Sequence, residues 1–125
     1  MSESVARIAL AAGATALALG IALQARAAER RRAAAGPLQL DGIAGRLVLF
    51  TAAGCRRCEQ ARTTLTRAGV EFAEMAFDQD PDRVRSIGVA AVPLLVARDA
   101  TGAEVGRIAG RIGRRALARL LSRLP

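Results

Sequence analysis

The spacing of hydrophobic and polar positions changes several times along this chain, and the changes divide it. From Ile8 to Ala25, 18 consecutive residues carry no charge. As a helix they would extend roughly 27 Å, just enough to cross the hydrocarbon core of a bilayer. Strong apolar residues are sparse within the run, namely Ile8, Leu10, Leu17, Leu19, Ile21 and Leu23, and Ala and Gly fill most of the rest. Gly36-Pro37 breaks any helix and Asp41-Gly42 marks a turn, so residues 37–45 read as a linker in which Leu38 and Leu40 alternate as a short edge strand would.

From Arg46 onward the pattern becomes regular. Leu47-Val48-Leu49-Phe50 is a continuous apolar run of strand length, as expected of a central strand buried on both faces. Ala52-Ala53-Gly54 is a small-residue turn. A helix is predicted over Glu59–Ala68, with Cys58, Ala61, Leu65 and Ala68 on one face and Gly69 as its stop. Val70–Phe77 reads as the next strand, with Val70, Phe72 and Ala76 inward. Pro81 suits the start of a short helix ending at Gly88. Val92–Val96 is an apolar strand opened by a proline, where a missing N–H is tolerable. Asp99–Gly102 makes a turn, and Glu104–Ala109 returns as a hairpin strand. Arg111–Leu124 is an amphipathic helix whose stripe is Ile112, Ala116, Leu117, Leu120, Leu121 and Leu124.

The order after the linker is therefore β-α-β-α-β-β-α, an α/β fold. A helical crossover makes the first two strands parallel, and the closing hairpin is antiparallel, so the four-stranded sheet is mixed. Residues 1–36 form an Ala-rich N-terminal helix with a basic flank, 37–45 the linker, and 46–125 one domain.

Composition narrows the functional classes. The formal net charge is +8 over 125 residues, and all 19 basic residues are arginine. Nucleic acid is the first partner such a charge suggests, but the arginines are spread along the chain and no aromatics are interleaved to stack on bases, so no specific nucleic-acid role is expected. There is no His, which removes most general-base schemes, Cys-His pairs and Cys/His metal sites. With only three Phe and no Tyr or Trp, the core must be aliphatic.

The uncharged N-terminal run admits three readings: a single-pass membrane anchor, which is favoured; a signal peptide cleaved near Ala25-Arg26-Ala27; or a soluble Ala-rich helix. Arg7 stands alone before the run, whereas Arg26, Arg30, Arg31 and Arg32 follow it. The positive-inside rule then puts the C-terminal domain on the cytoplasmic side, with the basic flank against anionic headgroups. A signal peptide would instead export the domain.

Two cysteines carry the chemistry. They are the only two, spaced Cys55-Arg56-Arg57-Cys58, between the apolar strand and the following helix. That spacing lets the sulfurs meet across a first helical turn, and the context is that of a redox pair. Cys55 is expected to be the more exposed thiol. The free N–H groups of the helix start, together with Arg56 and Arg57, favour its thiolate, making it the nucleophile and Arg56 and Arg57 the tuning residues. Cys58, on the apolar face, is expected to resolve the mixed disulfide. Stabilising the thiolate stabilises the reduced form and makes the couple more oxidising. A purely structural disulfide would close a tiny loop and constrain little. Zinc needs four ligands, so a zinc site would require a bridged dimer or carboxylates, and no metal is expected. A redox-inactive binding domain is the remaining alternative.

The stretches RLVLFTAAGCRRCEQA and VAAVPLLVARDATGAEVGRIAG, followed by the amphipathic helix, resemble the thioredoxin superfamily, over about two-thirds of the chain. The resemblance implies a minimal thioredoxin-like fold preceded by one N-terminal helix, and a thiol–disulfide oxidoreductase that needs no cofactor and acts on a protein thiol or disulfide. It also implies that Val92-Pro93 is a cis peptide lying against the cysteines, where the backbone binds the substrate segment. Gly54 stands where thioredoxins have Trp, the dipeptide is Arg-Arg, and Leu49 takes the place of their buried acid. The first strand–helix unit of thioredoxins is missing, which brings the core closer to the glutaredoxin-like form. The rival reading from another class is a redox-inactive thioredoxin-fold adaptor for a membrane protein, docking through the Pro93 groove or the basic C-terminal helix.

Overall fold

The computed structural model describes residues 2–34 and 36–125. They fall into two units, Met1–Arg32 and Ala33–Pro125. The first is one helix, α1 (Ser2–Ala34). Its stretch Ser2–Glu29 is long and apolar enough to cross a membrane. Val5, Ile8, Leu10, Leu17, Leu19, Ile21 and Leu23 are all exposed. Two of the four flanking arginines expected to face headgroups, Arg30 and Arg32, have side chains outside those described.

The second unit runs β1 (Leu47–Thr51), α2 (Arg56–Arg67), β2 (Ala73–Ala76), α3 (Pro81–Ile87), β3 (Leu94–Arg98), β4 (Glu104–Ala109) and α4 (Arg114–Leu121). This is the predicted element order. The strands form one mixed sheet in the order β2-β1-β3-β4. β2 is parallel to β1, β3 is antiparallel to β1, and β4 is antiparallel to β3.

All five residues of β1 are buried, and so are all five of β3. Alternation sends them to two cores, as the period of a strand requires. Leu47, Leu49, Leu95 and Ala97 pack with Ala61 and Leu65 of α2 and Leu117 and Leu120 of α4. Val48, Phe50, Leu94 and Val96 pack on the opposite face with Val84 and Ile87 of α3. A strand covered on both sides has no polar face, which is why Leu47–Phe50 reads as an unbroken apolar run.

Several boundaries differ from the sequence expectation. α2 begins three residues earlier, because Cys55 acts as its N-cap, and it ends at Arg67 with Ala68 as an exposed C-cap instead of a core residue. β2 begins at Ala73, where pairing with Val48 starts. Val70 and Phe72 pack on the core from outside the ladder. α4 is shorter than Arg111–Leu124 because Gly113 is extended and caps it. Ile112 and Leu124 still join the apolar face from outside the helix.

Residues 37–45, read as a linker, are packed on the domain, and Leu38 and Leu40 form no edge strand. Leu40 is buried, and Leu38 and Ile43 pack beside it. The Gln39 N–H donates to the Ile87 carbonyl at 2.8 Å. Arg98, only 8% exposed, donates to the carbonyls of Ile43, Gly45 and Gly102. An arginine at a strand end normally extends into water. Here its fork satisfies three carbonyls that the loops leave open.

Candidate functional site

The two cysteines sit where the β1 strand hands over to α2. Gly54 takes a left-handed conformation, φ 70°, and turns the chain from the strand toward the helix. The loop is held from the side by Asp78, whose Oδ1 accepts the Ala53 N–H at 2.8 Å. Cys55 then caps α2. Its Sγ accepts the Cys58 N–H at 3.1 Å, and its carbonyl accepts the Glu59 N–H.

Cys55 and Cys58 are joined as a disulfide, with Cα atoms 5.2 Å apart. Cys55 is half-buried at the surface, whereas Cys58 is fully buried on the core side of α2. Arg56 and Arg57 are exposed on the first turn of α2, and no ion pair holds either one among the described residues.

The Val92–Pro93 peptide is cis. Its place follows from the register. Leu94, the next residue, lies opposite Phe50, so Pro93 stands at the C-terminal end of β1, the end from which the cysteine loop departs. Pro93 is fully buried, and its carbonyl accepts the Gly110 N–H at 3.0 Å, which closes the ladder with β4 at that edge. Val92 is half-buried. The fold thus brings Cys55, Cys58, Arg56, Arg57, Val92 and Pro93 to one end of the sheet.

Residues 47–99 match the glutaredoxin family model. Among solved structures, the oxidised form of mitochondrial thioredoxin 3 from Saccharomyces cerevisiae matches at 26% identity, covering 61% of this chain and 76% of that one, with a TM-score of 0.50. A mutant thioredoxin from Halobacterium salinarum matches at 26% identity, with 61% and 71% covered and a TM-score of 0.51. This is a thioredoxin-superfamily domain. A malarial protein shares its fold at 15% identity, covering 61% of this chain and 91% of that one, with a TM-score of 0.54. Comparison with curated proteins returns no match.

Sequence reasoning missed one polar group in this thioredoxin-superfamily domain. Thr51, the last residue of β1, is fully buried, and its hydroxyl donates to Glu74 Oε1 at 2.9 Å. The same carboxylate oxygen pairs with Arg62 Nε of α2. Glu74 lies opposite Leu49 in the parallel register, so it points to the α2 side of the sheet. A carboxylate thus stands one strand away from Leu49, on the same face of the sheet. The only hint in the sequence is a threonine closing an otherwise apolar run.

A concavity of about 880 Å³ is lined by residues such as Leu47, Val70, Phe72 and Leu124. It opens at the start of β1, the opposite end from Cys55, so its size says nothing about the thiol chemistry.

Proposed function

We propose that this protein is a membrane-anchored thiol–disulfide oxidoreductase that works by exchange between Cys55-Cys58 and a protein substrate. The observation that carries the reading is the asymmetry of the pair: one sulfur at the surface on a helix N-cap, the other fully buried one turn on. In the reduced enzyme, the Cys55 thiolate attacks a substrate disulfide. A Cys55–substrate bond forms and the other substrate sulfur leaves as a thiolate. Cys58, deprotonated, then attacks Cys55, the mixed disulfide breaks, and the second substrate sulfur leaves. Two electrons have passed to the substrate, and the enzyme holds the Cys55–Cys58 bond. A thiol reductant must restore the dithiol. Run backwards, the same steps place a disulfide in the substrate.

Arg56 and Arg57 favour the thiolate by charge, and the free N–H groups at the start of α2 do so by their dipoles. Val92-Pro93, at the same sheet end, is the segment against which the substrate backbone lies.

Membrane anchoring draws on α1. A helix with large apolar side chains exposed all round, not in a stripe, belongs in lipid. The basic flank after Ala25 favours a domain on the cytoplasmic side.

The test is reduction of a protein disulfide by the purified full chain in the presence of a thiol reductant. Activity should be abolished by Cys55→Ser, and Cys58→Ser should accumulate a mixed disulfide. Full activity in Cys55→Ser would take the nucleophile's role from Cys55; no reduction by the unsubstituted chain, with no adduct from Cys58→Ser under oxidising conditions, would leave the domain as a redox-inactive adaptor. Protease protection in sealed vesicles tests the sidedness.

A further inference from the structure

The arginines of the domain are unevenly used. Arg62, Arg85 and Arg107 pair with carboxylates, and Arg98 ties down loop carbonyls. Arg57, Arg83, Arg119 and Arg123 have no carboxylate partner among the described residues, and neither do Arg56, Arg67, Arg111, Arg114 and Arg115. The last five line one feature. Where α2 and α4 lie side by side on the same face of the sheet, two depressions of about 480 and 380 Å³ run between them, and a third of about 390 Å³ lies along α2 itself, all three sharing Thr64. The track starts at Arg56, the residue next to Cys55, and continues past Arg67 and Arg114. Glu59 is the single acid along it.

We infer that this cleft is the docking track for an acidic segment of the protein substrate, which it leads to Cys55. The inference rests on the exchange reading above and names the substrate class. Three observations carry it. The fold does not require these arginines. Arg114 and Arg115 occupy the first turn of α4, which contains no acidic residue, and cations there oppose the helix dipole. The charge is concentrated, with five arginines against one glutamate along three adjoining depressions, while Glu74, Asp78, Asp80 and Asp82 belong to β2, α3 and the turn between them. The surface is concave, which a polypeptide segment can follow and a plane of lipid headgroups cannot. Thr64 and Gln60 add polar groups along the floor, and no aromatic side chain is present to stack a nucleobase.

The test uses the full chain in phosphatidylcholine nanodiscs and three disulfide peptides of one core sequence, flanked by Asp/Glu, by Ser/Gly or by Lys. At low ionic strength the acidic peptide should be reduced with kcat/KM about fivefold above the neutral one, mainly through KM, as expected for two or three exposed charge pairs. The preference should vanish near 0.5 M salt, where screening is short-ranged. In Arg67→Gln/Arg114→Gln the acidic-to-neutral ratio should fall to about one, a quantity that is independent of overall activity. The salt dependence of the unsubstituted chain stands as a second measure if that variant folds poorly. Equal kcat/KM for all three peptides at low salt overturns the inference and leaves the exchange function standing. No exchange with any peptide overturns the exchange function, and the inference with it. If phosphatidylglycerol nanodiscs abolish the acidic preference and protect α2 and α4 from hydrogen exchange, the occupant is the lipid surface and the inference fails.

Discussion

The backbone N–H of Cys58 donates to the sulfur of Cys55 at 3.1 Å, so the side chain proposed as nucleophile is also the N-cap of the helix that positions it. Reactivity and helix stability therefore meet in one atom. A sulfur is a weak acceptor, and serine is a better cap. Cys55→Ser should abolish exchange while keeping or slightly raising the stability of the reduced protein. Cys55→Ala should lose exchange and, in addition, about 0.5–2 kcal/mol of stability. Urea unfolding of both variants beside the reduced parent separates the two roles. Equal stabilities for Ser and Ala would show that the cap contributes nothing.

The dipeptide between the cysteines should set the potential. Arg56 and Arg57 are exposed on the first turn of α2. Each should favour the thiolate by a few tenths of a kcal/mol up to about one, so replacing both with Gln should make the couple more reducing by roughly 10–40 mV. Equilibration against a glutathione redox buffer measures the shift. A potential that moves the other way, toward more oxidising, would refute the charge argument.

Much of this architecture is legible in the sequence because buried strands and turn residues leave direct marks. Leu47–Phe50 announces a strand with no polar face, and Glu104–Ala109 returns from the Asp99–Gly102 turn with the limits read from the sequence. Where the reading slipped, tertiary packing had used a residue against its local habit. Leu38 and Leu40 look like a short strand, but their apolar side chains cover the α3 core from coil. Val70 and Phe72 carry the apolar signal of a strand without sharing its hydrogen bonds. The arginine cleft was illegible for a different reason: its members come from α2 and from α4 with the residues just before it, some fifty residues apart, and only the packing of both helices on the same sheet face aligns them.

Thr51 and Glu74 form the most buried polar contact beside the site, and each should depend on the other. Glu74 and Arg62 are about a third exposed, 31% and 39%, so their ion pair alone should be worth little. The Thr51 hydroxyl is fully buried and would lose its acceptor in Glu74→Ala, costing about 1–3 kcal/mol. In Thr51→Val the donor is gone, and removing Glu74 as well should add much less than it does alone. A double-mutant cycle by urea unfolding checks the coupling. Simple additivity would mean that the hydroxyl is satisfied some other way.

The β3–β4 turn should be acid-sensitive. Asp99 Oδ1 accepts the Thr101 hydroxyl at 2.6 Å and the backbone N–H groups of Thr101 and Ala103. The Thr101 hydroxyl bond is the main cause holding the Asp99 carboxyl below its ordinary value of 3.8; the backbone N–H groups assist, and desolvation opposes them. A depressed carboxyl stabilises the fold above its unfolded pKa, and that contribution is lost as pH falls through the folded one. The urea midpoint of the parent should therefore exceed that of Asp99→Asn at pH 6, and the gap should close as the pH falls below 3.8. A gap independent of pH would assign the effect to turn geometry and not to charge.

Gly88 should couple the stability of the domain to the packing of its N-terminal stretch. It ends α3 in the left-handed region at φ 101°, and a Cβ there would stand 2.7 Å from the Pro37 carbonyl oxygen. The backbone conformation alone costs a non-glycine residue about 1–2 kcal/mol. The close approach adds to this, because the atom met is backbone and cannot swing aside. Relief would require residues 37–38 to lift from the end of α3, which would strain the bond from the Gln39 N–H to the Ile87 carbonyl and uncover Leu40. Gly88→Ala should thus lower stability by about 2 kcal/mol or more and open residues 37–45 to limited proteolysis. Gly69→Ala is the control: it also stands at positive φ beyond a helix end, but nothing lies within 4 Å of its Cβ. It should pay the conformational cost without opening the segment. Equal protease resistance of 37–45 in both variants would show that the contact between Gly88 and Pro37 does not hold that stretch in place.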